Sequence, residues 1–209
     1  MASLLYVVGS PRGERSVSTT IAGAYADAWR GRNPSARVDI LDVWTEDIPE
    51  FGTEALAAKY AGLAGETLSA EQRKAWDALK AIAQRFHDAD VVLIAAPMWN
   101  FGVPYKLKQL IDLVSQKDIL FRFDETGFDG MLKGRKGVLA LARGISYGPD
   151  EAVSEEEFDF QRRYLEMWLR FVGITEIEVI VAEKTLLGPE ADAEARAAGI
   201  RRAKELGGA

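Results

Sequence analysis

Three segments of this chain combine glycine, hydroxyl, amide and aromatic residues in patterns that could do chemistry. The first is Gly9-Ser-Pro-Arg-Gly-Glu-Arg-Ser-Val-Ser18, which follows the apolar run Leu4–Val8 and leads into a helical periodicity. A loop passing from a buried strand into a helix directs free backbone N–H groups and the positive end of the helix dipole to one place, which suits an anion. Ser10, Ser16 and Ser18, with Val17 between the last two, add hydroxyl donors for phosphate oxygens. The same serines would also suit a plain helix cap. A Walker loop is excluded because the Gly-Lys-Ser/Thr ending is missing and no lysine precedes Lys59. G-x-G-x-x-G is absent too, so a Rossmann-type nucleotide site loses its main support.

The second segment, Ala96-Pro-Met-Trp-Asn-Phe-Gly-Val-Pro104, places Asn100 between Trp99 and Phe101, just after a second apolar run at Val91–Ala96. Aromatic walls around an amide suit the edge of a heteroaromatic ring. A hydrophobic turn covering the sheet is the alternative, against which a covered amide would need partners. The third segment, Ala142-Arg-Gly-Ile-Ser-Tyr-Gly148, contains a literal G-x-S-x-G. A hydrolase elbow needs a helix directly after its serine and a histidine later in the chain. Here Pro149-Asp150 follows, and the sole histidine, His87, precedes Ser146. What remains is a glycine turn whose backbone approaches a flat ligand closely. His87 reads as a structural group at a helix end. With one histidine and no cysteine, the chain is poorly supplied for acid–base or nucleophilic catalysis, and a cofactor with its own reactivity fits better.

The elements that would position these loops are legible from periodicity. Leu4–Val8, Val91–Ala96 and Val138–Ala142 are apolar throughout, as strands covered on both faces are. The stretches around Val38 and Ile40, and Ile177, Val179 and Val181 alternate, as edge strands do. Between them run helical faces: Ile21/Ala24/Tyr25/Ala28, Trp76/Leu79/Ala83/Phe86, Val103/Leu107/Leu110/Ile111/Val114 and Leu165/Trp168/Leu169/Val172. Ser69-Ala-Glu-Gln72 predicts a capping box, Pro104 a first helical turn, and Pro189 the start of a last helix. Residues 52–65 suggest a short helix with a loop, and residues 117–130 a hairpin-like excursion. Strands alternating with helices give an α/β fold: a flavodoxin-like, doubly wound, five-stranded parallel sheet of order 2-1-3-4-5, with helices on both faces. Ligands of such folds bind beyond the carboxyl ends of the strands, where the order reverses, which is where all three loops fall.

With 209 residues, 48% hydrophobic and 28% charged, residues 1–209 read as a single domain able to bury a core without disulfides or metal. The absence of cysteine excludes thiolate zinc and iron–sulfur sites, and no metal site is expected. A net charge of −6 without a basic tract argues against nucleic acid. No apolar run approaches a membrane span or a signal-peptide core, so cytoplasmic residence is the default expectation.

At these residues the chain resembles the FMN-dependent NADH azoreductases and the related NAD(P)H quinone oxidoreductases. The likeness lies in Ser10 with Ser16-Val-Ser18, Ala96-Pro-Met-Trp-Asn-Phe101, Asp112-Leu-Val114, Phe121-Arg-Phe123, Lys133-Gly-Arg-Lys136, Arg143-Gly144 and Phe171-Val-Gly-Ile-Thr175. The Pro-Met-Trp-Asn-Phe element is its most specific part. The resemblance implies that Ser10, Ser16, Val17 and Ser18 hold the FMN phosphate. It implies that Pro97, Met98, Trp99, Asn100 and Phe101 line the isoalloxazine, and that Ala142, Arg143, Gly144 and Ile145 close its pyrimidine side. The last loop departs from the family's usual Ser-Arg-Gly-Gly: a hydroxyl is lost at Ala142 and a side chain gained at Ile145. The implied activity is ping-pong: two-electron hydride transfer from NADH or NADPH to FMN, then to quinones or azo compounds. The chemistry is carried by FMN, so no protein residue need donate a proton, and Tyr147 is a candidate if one does. A homodimer with sites at the interface is also implied, Trp99, Phe121, Phe123 and Phe158 being candidates for its wall and residues 117–130 for covering a neighbour's site. The competing reading is a flavodoxin-type electron carrier, which the aromatic second loop disfavours.

Overall fold

The computed structural model describes residues 2–148, 151 and 153–209; Pro149 and Asp150, invoked above for the third loop, lie outside the described residues. In chain order the elements are β1 (Ser3–Val8), a 3-10 turn (Gly13–Arg15), α1 (Val17–Arg32), β2 (Arg37–Asp42), α2 (Thr53–Ala64), α3 (Ala70–Asp88), β3 (Val91–Pro97) and α4 (Tyr105–Val114). There follow β4 (Phe121–Asp124), β5 (Gly127–Gly130), β6 (Lys136–Ala142), α5 (Glu155–Phe158), α6 (Phe160–Phe171), β7 (Glu176–Ala182) and α7 (Pro189–Gly208).

Five strands form one parallel sheet, ordered β2-β1-β3-β6-β7. The expected order 2-1-3-4-5 counted only sheet strands. The excursion at 117–130 is itself an antiparallel hairpin, β4–β5, so in chain numbering the order reads 2-1-3-6-7. The apolar runs are the three central strands, and the alternating ones, β2 and β7, are the edges.

Side-chain alternation divides the core into two layers. Leu5, Val7, Val92, Ile94, Leu139 and Leu141 face α3, α4 and α6 through Leu79, Phe86, Leu107, Leu110, Leu165 and Trp168. Leu4, Tyr6, Leu93, Val138 and Ala140 face α1 and α7 through Ile21, Ala22, Tyr25, Trp29 and Ala203. Each fully buried aliphatic side chain contributes roughly 1.5–3 kcal/mol, and both layers are needed because the central strands expose neither face. The buried stripe of α1 runs through Ile21, Ala22, Tyr25, Ala26 and Trp29. Ala24 and Ala28, expected on that face, are only half-buried, because the helix packs on α7 as well as on the sheet.

The local signals translate directly. Ser69 accepts from the Gln72 N–H at 3.2 Å while the Gln72 side chain accepts from the Ser69 N–H at 2.9 Å, completing the capping box of α3. Pro104 sits one residue earlier than expected, as the cap before α4. His87 bonds the Ile119 carbonyl at 2.7 Å through its Nε2, tying α3 to the segment before the hairpin.

The hairpin lies at the amino-terminal end of the sheet, since α4 has by then run the length of β3 back from its carboxyl end. It is anchored by a close backbone approach: a Cβ on Gly130 would lie 2.1 Å from the Gly173 nitrogen. Gly173 itself has φ +105, a conformation open to glycine at little cost.

Candidate functional site

Three loops meet at the carboxyl end of the sheet, each fastened to the neighbouring strand by one more parallel-type bond. The Gly9 N–H donates to the Ala95 carbonyl, Met98 N–H to Ala142 and Arg143 N–H to Ala182, all at 2.8 Å. Gly9 is close to β3 because a Cβ there would lie 2.7 Å from the Ala95 oxygen.

The first loop brings Ser10, Ser16 and Ser18 into a buried group, with 2%, 3% and 0% of their surfaces exposed. Ser16 caps α1, its Oγ accepting from the Thr19 N–H at 3.4 Å and lying 3.1 Å from the Ser18 Oγ. The cap of α1 and a hydroxyl pair of the kind an anion would need thus share one arrangement. Val17 packs beneath it in the core. No acidic residue occupies the first turn of α1, so the hydroxyls and the helix dipole act in one sense, with Glu14 exposed on the preceding 3-10 turn. This donor set fits a phosphate monoester.

The second loop contains a turn that periodicity does not reveal. Trp99 and Gly102 exchange backbone bonds of 3.0 and 2.9 Å, and the two residues between them, Asn100 and Phe101, have φ +47 and +68. Positive φ at both central positions is the signature of a type I′ turn. Asparagine tolerates it readily, whereas phenylalanine pays of order 1–3 kcal/mol for such strain. The turn presents both side chains outward. Asn100 is exposed, so it is not the covered amide that a hydrophobic turn over the sheet would require, and its distinguishing property is its backbone. Trp99 and Phe101 are 36% and 44% exposed. Pro97 and Met98 are half-buried below them.

Two aromatic residues escaped the reading of the sequence. Trp44, after β2, donates its indole N–H to the Gly9 carbonyl at 3.1 Å. Its ring lies 5.7 Å from that of Trp99 and 5.2 Å from that of Tyr105. These three rings wall the space between the first and second loops. Trp44 stands alone after an edge strand, so only the 2-1-3 strand order brings it here. On the other side Phe101 meets Phe158 at 5.2 Å.

In the third loop the Arg143 guanidinium is buried and paired to Asp159, with Glu183 at 3.3 Å. It braces the loop from within, leaving backbone to face a ligand. Gly144 runs close to Leu186, whose Cδ1 would lie 2.6 Å from an added Cβ. Ala142 is buried and Ile145 half-buried. Ser146 is followed by Tyr147 and Gly148 outside any helix, and among the described residues the next helix starts at Glu155, consistent with rejecting a hydrolase elbow. Tyr147 lies with the Arg143 guanidinium 5.3 Å from its ring centre. Burial, only partly opposed by Arg143, raises its hydroxyl above the ordinary value of 10.0, with Asp159 and Glu183 adding to the rise. It therefore stays protonated at neutral pH.

Among the candidates for an intersubunit wall, Trp99 and Phe158 border these loops. Phe121 and Phe123 do not: they lie on the hairpin at the opposite end, where Phe121 stacks on Phe171 at 4.6 Å.

A doubly wound sheet with a hydroxyl-lined phosphate loop after β1 and ring-sized loops after β3 and β6 defines a nucleotide- or flavin-binding α/β protein. Comparison with known proteins narrows this. The model of the flavodoxin-like fold family matches residues 2–206. FMN-dependent NADH:quinone oxidoreductase 9 of Burkholderia lata is 47% identical over 189 residues, 90% of this chain and 90% of that protein. FMN-dependent NADH:quinone oxidoreductase 2 of Pseudomonas syringae pv. tomato is 46% identical over 207 residues, 99% and 98% of the two chains. The crystal structure of an azoreductase from Bacillus anthracis str. Sterne superposes with a TM-score of 0.88 at 26% identity, covering 100% of this chain and 99% of that one. The chain belongs to the flavodoxin-like fold family and, within it, to the FMN-dependent NADH:quinone oxidoreductases.

Proposed function

We propose that this protein is an FMN-dependent NADH:quinone oxidoreductase that also reduces azo compounds. The observation that carries the reading is the cradle of three loops, with an anion-binding end at Ser10, Ser16 and Ser18 and an aromatic end at Trp99–Phe101. The relatives at 46–47% identity carry the name FMN-dependent NADH:quinone oxidoreductase, and the azoreductase likeness supports azo acceptors. FMN, when bound, supplies the redox chemistry, taking a hydride from the nicotinamide and giving two electrons to the acceptor.

The residues act around it. Ser10, Ser16, Val17 and Ser18 hold the phosphate. Pro97, Met98, Trp99, Asn100 and Phe101 line one side of the ring, with Asn100 bonding its edge. Ala142, Arg143, Gly144 and Ile145 close the other, through backbone in the case of Arg143. No protein residue need donate a proton; Tyr147 is a candidate for doing so. The cradle orients a planar acceptor and excludes water. We further propose that residues 1–209 form one FMN-binding unit, that the five sheet strands carry the 2-1-3-4-5 order of flavodoxin-like sheets once the hairpin is set aside, and that two copies pair with their sites at the interface. A cytoplasmic setting goes with a nicotinamide co-substrate. Among the described residues no helix is long and apolar enough to cross a membrane.

An absorption spectrum of the purified protein reconstituted with FMN tests the reading. Stoichiometric retention of oxidised flavin through gel filtration is expected; loss of all flavin would defeat it. A carrier of the flavodoxin type is not favoured, because the relatives are named as oxidoreductases.

A further inference from the structure

Helix α6 opens with three consecutive residues that each reach a different part of the cradle. Asp159, its cap, accepts from the Arg162 N–H at 2.9 Å through one oxygen and pairs with Arg143 Nη2 through the other. The next residue, Phe160, donates its N–H to the carbonyl of Phe101 at 3.1 Å, inside the strained turn. Gln161 then donates its side-chain N–H to the carbonyl of Ala96 at 3.0 Å, where β3 ends.

The Arg143 and Asp159 side chains are 2% and 0% exposed. Arg143 has two further carboxylates: Glu183, 3.3 Å from Nη1, which also accepts from the Tyr147 N–H at 3.2 Å, and Glu155, 3.9 Å from Nη2. One array, buried at Arg143, Asp159 and Gln161 and half-exposed at Glu183, therefore spans the second loop, the third loop and the end of β7. Buried ion pairs are poor sources of stability, since apolar residues of the same volume usually do as well. This one is not optimised even as a polar network: Arg143 Nε and Gln161 Oε1 are buried and have no partner among the described residues. What such an array does provide is a single geometry.

We infer that the Asp159-Phe160-Gln161 turn is a clamp that sets the second and third loops at a fixed separation, with Asp159 a positioning residue acting through Arg143. The inference rests on the reading of these loops as the ring end of the FMN cradle. The clamp touches the ring end alone. The phosphate loop is fastened separately, through Gly9 to Ala95 and Trp44.

That separation gives a test independent of turnover. Dissociation constants for FMN and for riboflavin, which lacks the phosphate, are measured by flavin fluorescence for the wild-type protein and for Asp159→Asn. A ring-end clamp predicts that both ligands weaken by the same factor, about tenfold or more, so that the FMN-to-riboflavin ratio is unchanged. Unchanged affinities with a lowered melting temperature would overturn the inference and leave Asp159 a purely structural residue. Weakening of FMN alone would also overturn it. If Asp159→Asn does not fold, Glu183→Gln decides. That side chain is 32% exposed and the amide can still accept from Tyr147. A smaller, equal weakening of both ligands is expected, and unchanged binding would refute the clamp. Failure of the wild-type protein to bind either flavin would instead remove the functional reading beneath it.

Discussion

At the scale of single residues, the site is built from groups whose sequence signals differ greatly in strength. Ser10, Ser16 and Ser18 are legible because hydroxyls between an apolar run and a helix have few uses, and the structure buries all three together. Asn100 and Phe101 were singled out by type, while their positive φ, which a string of letters does not carry, explains how they are presented. Trp44, Asp159 and Gln161 had no signal, since each acts on a partner far along the chain: Gly9, Arg143 and Ala96. If they hold the phosphate as proposed, replacing Ser16 and Ser18 together with alanine removes two donors to a dianion, each worth about 1.5–3 kcal/mol when charge-assisted. FMN affinity measured by fluorescence quenching should fall at least tenfold while riboflavin affinity holds. Equal loss of both would mean that the serines serve only as a cap.

At the scale of elements, the sheet strands and the longer helices are where periodicity places them, because their apolar faces are set by burial on one or both sides; the four-residue α5 carries no such signal, and Val103 lies before the cap of α4 rather than on its face. The hairpin is different. Its strands have exposed aromatic residues, Phe123 at 51% and Phe128 at 71%, and little alternation to mark which face is covered. Its position is fixed by Gly130 against Gly173, a contact between residues with no side chains to pattern. Gly130→Ala would force a methyl into the backbone of the Val172–Gly173 turn. Overpacking of this kind costs about 1–3 kcal/mol, which urea denaturation should register as a lower midpoint at unchanged slope. A neutral substitution would show that the hairpin floats free of α6.

The hairpin's location also bears on assembly. It sits at the opposite end of the sheet from the three loops, so its aromatic face can reach such a site only in another copy. Light scattering at micromolar concentration should give twice the 23.0 kDa chain mass. A fully active monomer would contradict a shared site.

At the scale of the whole molecule, a phenol buried in one core layer, Tyr25, and one half-buried against the other, Tyr164, set an alkaline limit. Burial, then Glu178 and Glu176, pushes the Tyr25 hydroxyl from 10.0 up to about 12. Burial and then Asp112 push Tyr164 to about 12 as well. In the unfolded chain these groups ionise near 10. Below that pH both states keep the proton and stability is unaffected; between pH 10 and 12 the unfolded state loses protons that the folded state retains, so stability falls. Melting temperatures should be flat through pH 9 and decline across pH 10–12, and Tyr164→Phe should make the decline shallower. An identical decline in that variant would place its cause elsewhere.

The central claim is that nicotinamide and acceptor meet one flavin held in the three-loop cradle. Stopped-flow absorbance of the FMN-loaded protein, mixed without oxygen with NADH, tests it most directly. The account predicts rapid loss of the oxidised-flavin band by at least one of NADH and NADPH, and its return when a benzoquinone or an azo dye is added in a second mix. A bound flavin that neither nucleotide reduces would contradict the account and return the protein to the class of electron carriers.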